Sequence, residues 1–365
     1  MIPFNNLKPL AAMLAAELHE AMQRVAASGW YVLGPEVEAF EAELAAYLGR
    51  PHAVAVANGT DAIELALRAG DVGAGDEVIT VSHTAMATVR AVERTGARPV
   101  LVDVDPETLT MSAAAAAAAV GARTKAIVPV HLYGHPAELA PLCELAERHR
   151  LLLLEDCAQA HGALYQGRKV GGFGQMAAFS FYPTKNLGAF GDGGAVVTGD
   201  AALAARLRRL RNYGETTKFV FAERGINSRL DEIQAAVLRV KLVHLDAHND
   251  RRREIARIYS GAPVRTPTER ADARHVYHLY VVRGPLRDRL REELRRRGVD
   301  SAIHYPVPVH LQASHADLGF REGSLPVTEG AVREILSLPL YVGMSDGDAR
   351  TVVAAVGDSL EALGG

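Results

Sequence analysis

The chain has 365 residues, 48% of them hydrophobic and 23% charged, with a formal net charge of −3. That length suits two domains, or one large α/β domain with an appendage, and the near-neutral charge gives no field to attract nucleic acid or an anionic membrane. Two cysteines (Cys143, Cys157) cannot build a disulfide framework, MIPFNNLKPL carries no export signal and LLLL at 151–154 is too short to span a bilayer, so a cytoplasmic protein is expected.

From the N-terminus, PEVEAFEAELAAYLG predicts a helix opening at Pro35 and closing at Gly49. AVAVAN (53–58) predicts a strand that runs directly into a helix over TDAIELALRAG. DEVITV, RPVLVDV, KAIVPV and RLLLLEDC are further short apolar runs, separated by helical segments such as MATVRAVERTG and AELAPLCELAERHR. Ser112 and the alanines after it predict an N-cap and a short surface helix with no function of its own. This alternation implies an α/β protein with a mostly parallel, mixed sheet between helices. Beyond residue 225, SRLDEIQAAVLRVKLVHLDAHNDRRREIARIY predicts one long helix, HVYHLYVVR a strand, RDRLREELRRRGV a helix and HYPVPVHL a proline-rich turn. Residues 1–246 are expected to form a large domain with an N-terminal arm, and 247–365 a smaller C-terminal α+β domain.

Ligands of parallel α/β sheets sit beyond the carboxyl ends of the strands, and three such ends carry suggestive residues. Asn58-Gly59-Thr60 joins a strand to a helix, where close backbone approach and free N–H groups make an anion seat; by itself it is an ordinary tight turn. It matches neither nucleotide-binding glycine motif. LLLLEDCAQAHGA ends an apolar strand in Glu155-Asp156, with Gln159 and His161 just beyond; a lone Asp156 could equally be a cap or a surface acid. AFSFYPTKNLGAFGDGGAVV places Lys185 among small and aromatic residues, where it could also snorkel to water along Phe181. One explanation unites the three: a phosphate seat, a buried acid and a sequestered amine are the parts that hold pyridoxal 5'-phosphate. The lysine forms a Schiff base with the aldehyde, and the acid keeps the pyridine nitrogen protonated. No metal is expected.

NGTDAIELAL, EDCAQAHGA, AFSFYPTKNLGAFGDGGAVVT and INSRLDEIQAAVLRVKL occur in this order, and with them the chain closely resembles the DegT/DnrJ/EryC1/StrS family of sugar aminotransferases, from FNNLKPL to EILSLPL. The resemblance implies a PLP fold-type I aminotransferase, working as a homodimer with shared active sites. It also implies roles for single residues. Lys185 matches the lysine that binds the cofactor, Asp156 the partner of the pyridine nitrogen, and Gln159 the residue against the ring near its phenolic oxygen. Gly59, Thr60 and Ser180 match the phosphate ligands, and Asn227 an asparagine that reaches the phosphate from the other subunit, a role compatible with capping the long helix. His161 is expected to support the site rather than to catalyse. One departure stands out. In VSHTAMAT the family usually has an aromatic residue that stacks on the cofactor where this chain has Ala85, leaving His83 or another side chain to cover that face.

By the same likeness, VHLYGHPA, NYGETTKF and HYPVPVHL look most like enzymes that aminate C3 of dTDP-linked 3-keto-6-deoxyhexoses with glutamate as donor, with Tyr182, Lys218, His304 and Tyr305 at the substrate. Lys218 would reach the neighbouring subunit's sugar nucleotide. His304 and Tyr305 could equally form a proline-fixed turn packed on the large domain. Branches of the family that aminate cyclitol ketones or make an aminated benzoate remain open. The branch that dehydrates sugars has histidine in place of the lysine, which Lys185 disfavours, and a non-catalytic binding or regulatory protein has no need of Lys185 opposite Asp156.

Overall fold

The computed structural model describes residues 1–364. Seven strands form the central sheet: β1 (His52–Val56), β2 (Glu77–Val81), β3 (Arg98–Val102), β4 (Thr124–Val128), β5 (Leu152–Asp156), β6 (Met176–Ser180) and β7 (Gly194–Thr198). Their order is β1-β7-β6-β5-β4-β2-β3, with β7 antiparallel to both neighbours and the other pairings parallel. The expected sheet is thus mostly parallel but mixed. Because β7 alone runs against its neighbours, the carboxyl ends of the other six strands, β1 to β6, all lie along one edge. The strands are short and apolar because both faces are covered: in β1, Ala53 and Ala55 pack with Phe40 and Leu44, whereas Val54 and Val56 pack with Ala62 and Leu65.

Several local signals read as expected. Pro35 opens the helix Pro35–Leu48, and Gly49 ends it in the left-handed conformation with φ 66°. That helix has no cap of its own; the Glu232 carboxylate, from far along the chain, accepts the N–H groups of Gly34, Glu36 and Val37. Ser112 Oγ accepts from Ala115 N at 3.3 Å and starts the alanine helix Ala113–Ala118.

Two expectations past residue 225 need correction. The long helix is two helices, Glu232–Val243 and Leu245–Tyr259, broken at His244. They serve different cores: Ala235, Leu238 and Leu242 pack with Phe40 and Leu44, whereas Ile255, Ala256 and Tyr259 pack with Tyr280, Leu336 and Val352. The first begins after Asp231, so Asn227 is not its N-cap. The strand in HVYHLYVVR is only Tyr280–Arg283, paired antiparallel with Ile335–Leu338. The residues before it bond elsewhere, Val276 N to Gly134 O and Leu279 N to Tyr133 O. Helices Leu245–Tyr259, Arg287–Arg296 and Asp346–Ala362 pack around this small sheet. Among the described residues, no helix is long and apolar enough to cross a membrane.

Candidate active site

A cavity of about 260 Å³ opens at the shared carboxyl edge of the sheet, lined by residues from all three suggestive strand ends. After β1 the chain passes through Asn58 into the helix Gly59–Ala69. Asn58 Oδ1 accepts from Asp61 N at 2.8 Å and Ala62 N bonds to Asn58 O, so among the described residues the N–H groups of Gly59 and Thr60 have no protein partner. Those two residues line the cavity. Glycine is required at 59: a Cβ there would stand 2.6 Å from Ser180 Cβ, at the end of β6. Ser228 braces the turn, accepting from Ala57 N and donating to Asp61.

The last residue of β5, Asp156, is buried. Its oxygens accept from Thr88 Oγ1 at 2.8 Å and Ala158 N at 3.1 Å. Burial pushes its carboxyl pKa up, against these two bonds and the charge of Lys185. The neighbouring Glu155 points the other way. Burial alone would raise its pKa, but the hydrogen bond from His131 and the N–H groups of Gly174 and Gly171 outweigh that and pull it down. His131, Glu155 and Cys157 have ligand atoms within 4.8 Å of one another, yet Glu155 already takes three backbone N–H groups and His131 Nε2.

Lys185 follows β6 on a turn closed by Lys185 N donating to Tyr182 O. Burial lowers its amine pKa to about 8, and the Asp156 charge opposes that fall. Gln159 also lines the cavity; its Oε1 accepts from Tyr133 N at 2.7 Å and its Nε2 donates to Tyr305 OH at 3.2 Å. The cavity therefore gathers Gly59, Thr60, Asp156, Gln159, Ser180, Tyr182 and Lys185.

The other expected residues lie apart from it. Lys218 is exposed on the hairpin Glu215–Thr217/Val220–Phe221, and Asn227 is exposed without a side-chain hydrogen bond among the described residues. His304 stacks on Phe4, with Nδ1 2.9 Å from Ser337 Oγ, and Tyr305 meets the cavity only through Gln159. His161 is buried against Phe179 and Phe181, and burial takes its pKa to about 3, so it is a neutral supporting ring.

His83 does not cover the face left open by Ala85. It is buried, with Nε2 2.8 Å from Tyr133 OH; the wall at that place consists of Thr84, Ala85, Ala87 and Thr88. Sequence reasoning missed Thr88 and Tyr133. Each acts on a residue far along the chain, so no spacing announces it. Pyridoxal phosphate fits what is present: unpaired N–H groups in a cradle that a Cβ would fill, a buried carboxylate and a half-buried amine around one small cavity.

Comparison with known proteins agrees. The chain matches the DegT/DnrJ/EryC1/StrS aminotransferase family over residues 13–357. It is 51% identical over 360 residues, covering 97% of this chain and 95% of the relative, to dTDP-3-amino-3,4,6-trideoxy-alpha-D-glucose transaminase of Streptomyces venezuelae. It is also 51% identical, covering 97% and 98%, to the erythromycin biosynthesis sensory transduction protein EryC1 of Saccharopolyspora erythraea. The crystal structure of S. venezuelae DesV in complex with a ketimine intermediate superposes with a TM-score of 0.96 at 51% identity, covering 98% of each chain. The chain belongs to the DegT/DnrJ/EryC1/StrS aminotransferase family.

Proposed function

We propose that this aminotransferase carries pyridoxal 5'-phosphate and moves an amino group from glutamate to a nucleotide-linked keto-sugar, at C3 of a dTDP-3-keto-6-deoxyhexose. The observation that carries the reading is Lys185 and Asp156 sharing one cavity with the open N-terminus of the helix at Gly59. The S. venezuelae relative, named for a dTDP-3-amino sugar, supports the substrate.

In this reading Gly59, Thr60 and Ser180 would hold the phosphate, Asp156 would serve the pyridine nitrogen, Gln159 would donate to the phenolic oxygen and Lys185 would supply the amine for the aldehyde. The cofactor supplies an electron sink for the bond breaking at the amine-bearing carbon. A cation at that ring nitrogen would add to the Thr88 and Ala158 hydrogen bonds in favouring the Asp156 carboxylate against its burial. Lys185 Nζ would be the base that holds and moves the proton at the amine-bearing carbon, and its lowered pKa suits the task. Tyr182, His304 and Tyr305 flank the sugar.

Lys218 and Asn227 are assigned to the neighbouring subunit's site in a homodimer. Their exposed positions fit that assignment, as do the solvent-facing Trp30, Tyr31, Phe219 and Val220. We place the division between a large and a small domain at residues 246 and 247, and the enzyme in the cytoplasm. A purely regulatory role, such as the name of the Saccharopolyspora relative suggests for that protein, gives Lys185 and Asp156 nothing to do. The test is a panel of keto-sugar nucleotides offered to the cofactor-loaded protein with glutamate, with products read by mass. Amination of a dTDP-3-keto-6-deoxyhexose is expected; no aminated sugar from any member would overturn the reading.

A further inference from the structure

Tyr133 is a buried residue that the chemistry above does not use, yet it bonds both to Gln159 and to the backbone of His304. It sits in the short turn Leu132–Gly134 with φ 60° and ψ 1°, a left-handed conformation that a bulky residue adopts only where its surroundings hold it. Here they do. Its N–H donates to Gln159 Oε1 at 2.7 Å, and its carbonyl accepts from Leu279 N at 3.2 Å. Its hydroxyl donates to the carbonyl of His304.

The hydrogens can be assigned by elimination. A carbonyl cannot donate, so the single phenolic hydrogen goes to His304 O, and His83 Nε2 at 2.8 Å must be the donor to Tyr133 OH. Burial holds the phenol pKa well above its usual value, so this hydrogen stays in place at any working pH. At the other end, Tyr133 N–H commits Oε1 of Gln159, which turns Nε2 to Tyr305 OH at 3.2 Å. The second Nε2 hydrogen has no acceptor among the described residues and is the donor Gln159 can offer to a ligand in the cavity it lines.

A closed ring of contacts results: Tyr133 to Gln159, Gln159 to Tyr305, and the adjoining His304 back to Tyr133. We propose that Tyr133 is a positioning residue, a latch whose hydroxyl holds the 304–305 segment against Gln159 and thereby fixes the substrate-side wall of the cavity. The inference rests on the sugar-aminotransferase reading for its consequence in turnover, but not for the latch itself.

The test uses the full-length, cofactor-loaded protein in four forms: parent, Tyr133→Phe, Tyr305→Phe and the double variant. The probe is dTDP-3-amino-3,4,6-trideoxy-α-D-glucose, whose amino group bleaches the visible band of the lysine-bound cofactor. With the hydroxyl gone and the ring kept, the concentration of probe at half-maximal bleaching should rise about five- to tenfold, the loss that corresponds to one hydrogen bond. Cofactor retention and the pH titration of the visible band should stay as in the parent. The double variant should be little worse than the poorer single one, because both act through one ring of contacts. Independently of any substrate, hydrogen exchange over residues 302–307 should quicken about tenfold in Tyr133→Phe while β5 and β6 are unaffected.

Unchanged exchange in 302–307 would overturn the latch. So would additive effects in the double variant, or an affinity loss matched by an equal loss of cofactor, which would mark general loosening. A parent protein whose band the probe does not bleach would instead count against the substrate reading, and the exchange measurement would still decide the latch.

Discussion

At the scale of single residues, the site depends on an amine and an acid whose charged forms are both disfavoured by burial. Lys185 has its pKa lowered to about 8 by burial, while burial raises that of Asp156. The amine reacts with an aldehyde only when unprotonated, so the rate at which cofactor-free protein captures pyridoxal phosphate should climb with pH and level off above about 8. A stopped-flow series from pH 6 to pH 10 checks this; a rate still rising in proportion to hydroxide at the upper end would mean an ordinary, solvated lysine. Lys185→Ala should cut turnover more than about a thousandfold while circular dichroism stays native. Asp156→Asn should cost on the order of a hundredfold or more in the glutamate half-reaction, with near-normal rates meaning that another group serves the ring nitrogen. Both residues were legible in the sequence because their neighbours are wrong for a solvated charge: Asp156 closes an apolar run, and Lys185 sits between FSFYPT and a glycine-rich strand. Thr88 and Tyr133 were not legible. A threonine on one helix and a tyrosine in a short turn become meaningful only when the fold brings them to Asp156 and Gln159.

Among the elements, the strand ends and the turns after them matter most. Glu155 ties the end of β5 to the 171–174 turn by accepting from Gly171, Phe173 and Gly174, with His131 as a fourth donor. Glu155→Gln would put an NH₂ group against donors in a dry place. It should therefore cost about 2–3 kcal/mol in urea unfolding. An unchanged midpoint would show that the turn is held by other means. Helix and strand positions were legible wherever local chemistry sets them, as at Pro35, Gly49 and Ser112. They were not where tertiary partners decide: the apolar stripe from 232 to 259 looks continuous in sequence, but its two halves serve different cores and part at His244.

For the whole molecule, the sheet order brings six strand ends to one edge, and the alternation of apolar runs and helices already implied as much. What the alternation could not imply is the reversal of β7, since a buried antiparallel strand reads like a buried parallel one. The proposed shared sites make a prediction at this scale. Lys185→Ala and Lys218→Ala proteins should each be poor enzymes alone, yet mixing and re-equilibrating their subunits should restore activity, because one mixed site then holds both intact residues. No gain on mixing would contradict a Lys218 that serves its neighbour.

The most direct measurement of the central claim is borohydride reduction of the protein loaded with pyridoxal phosphate, followed by peptide mass mapping. A visible absorption band that disappears on reduction, with the pyridoxyl mass on the peptide containing Lys185, is the predicted result. A colourless protein, or a tag confined to other lysines, would contradict it.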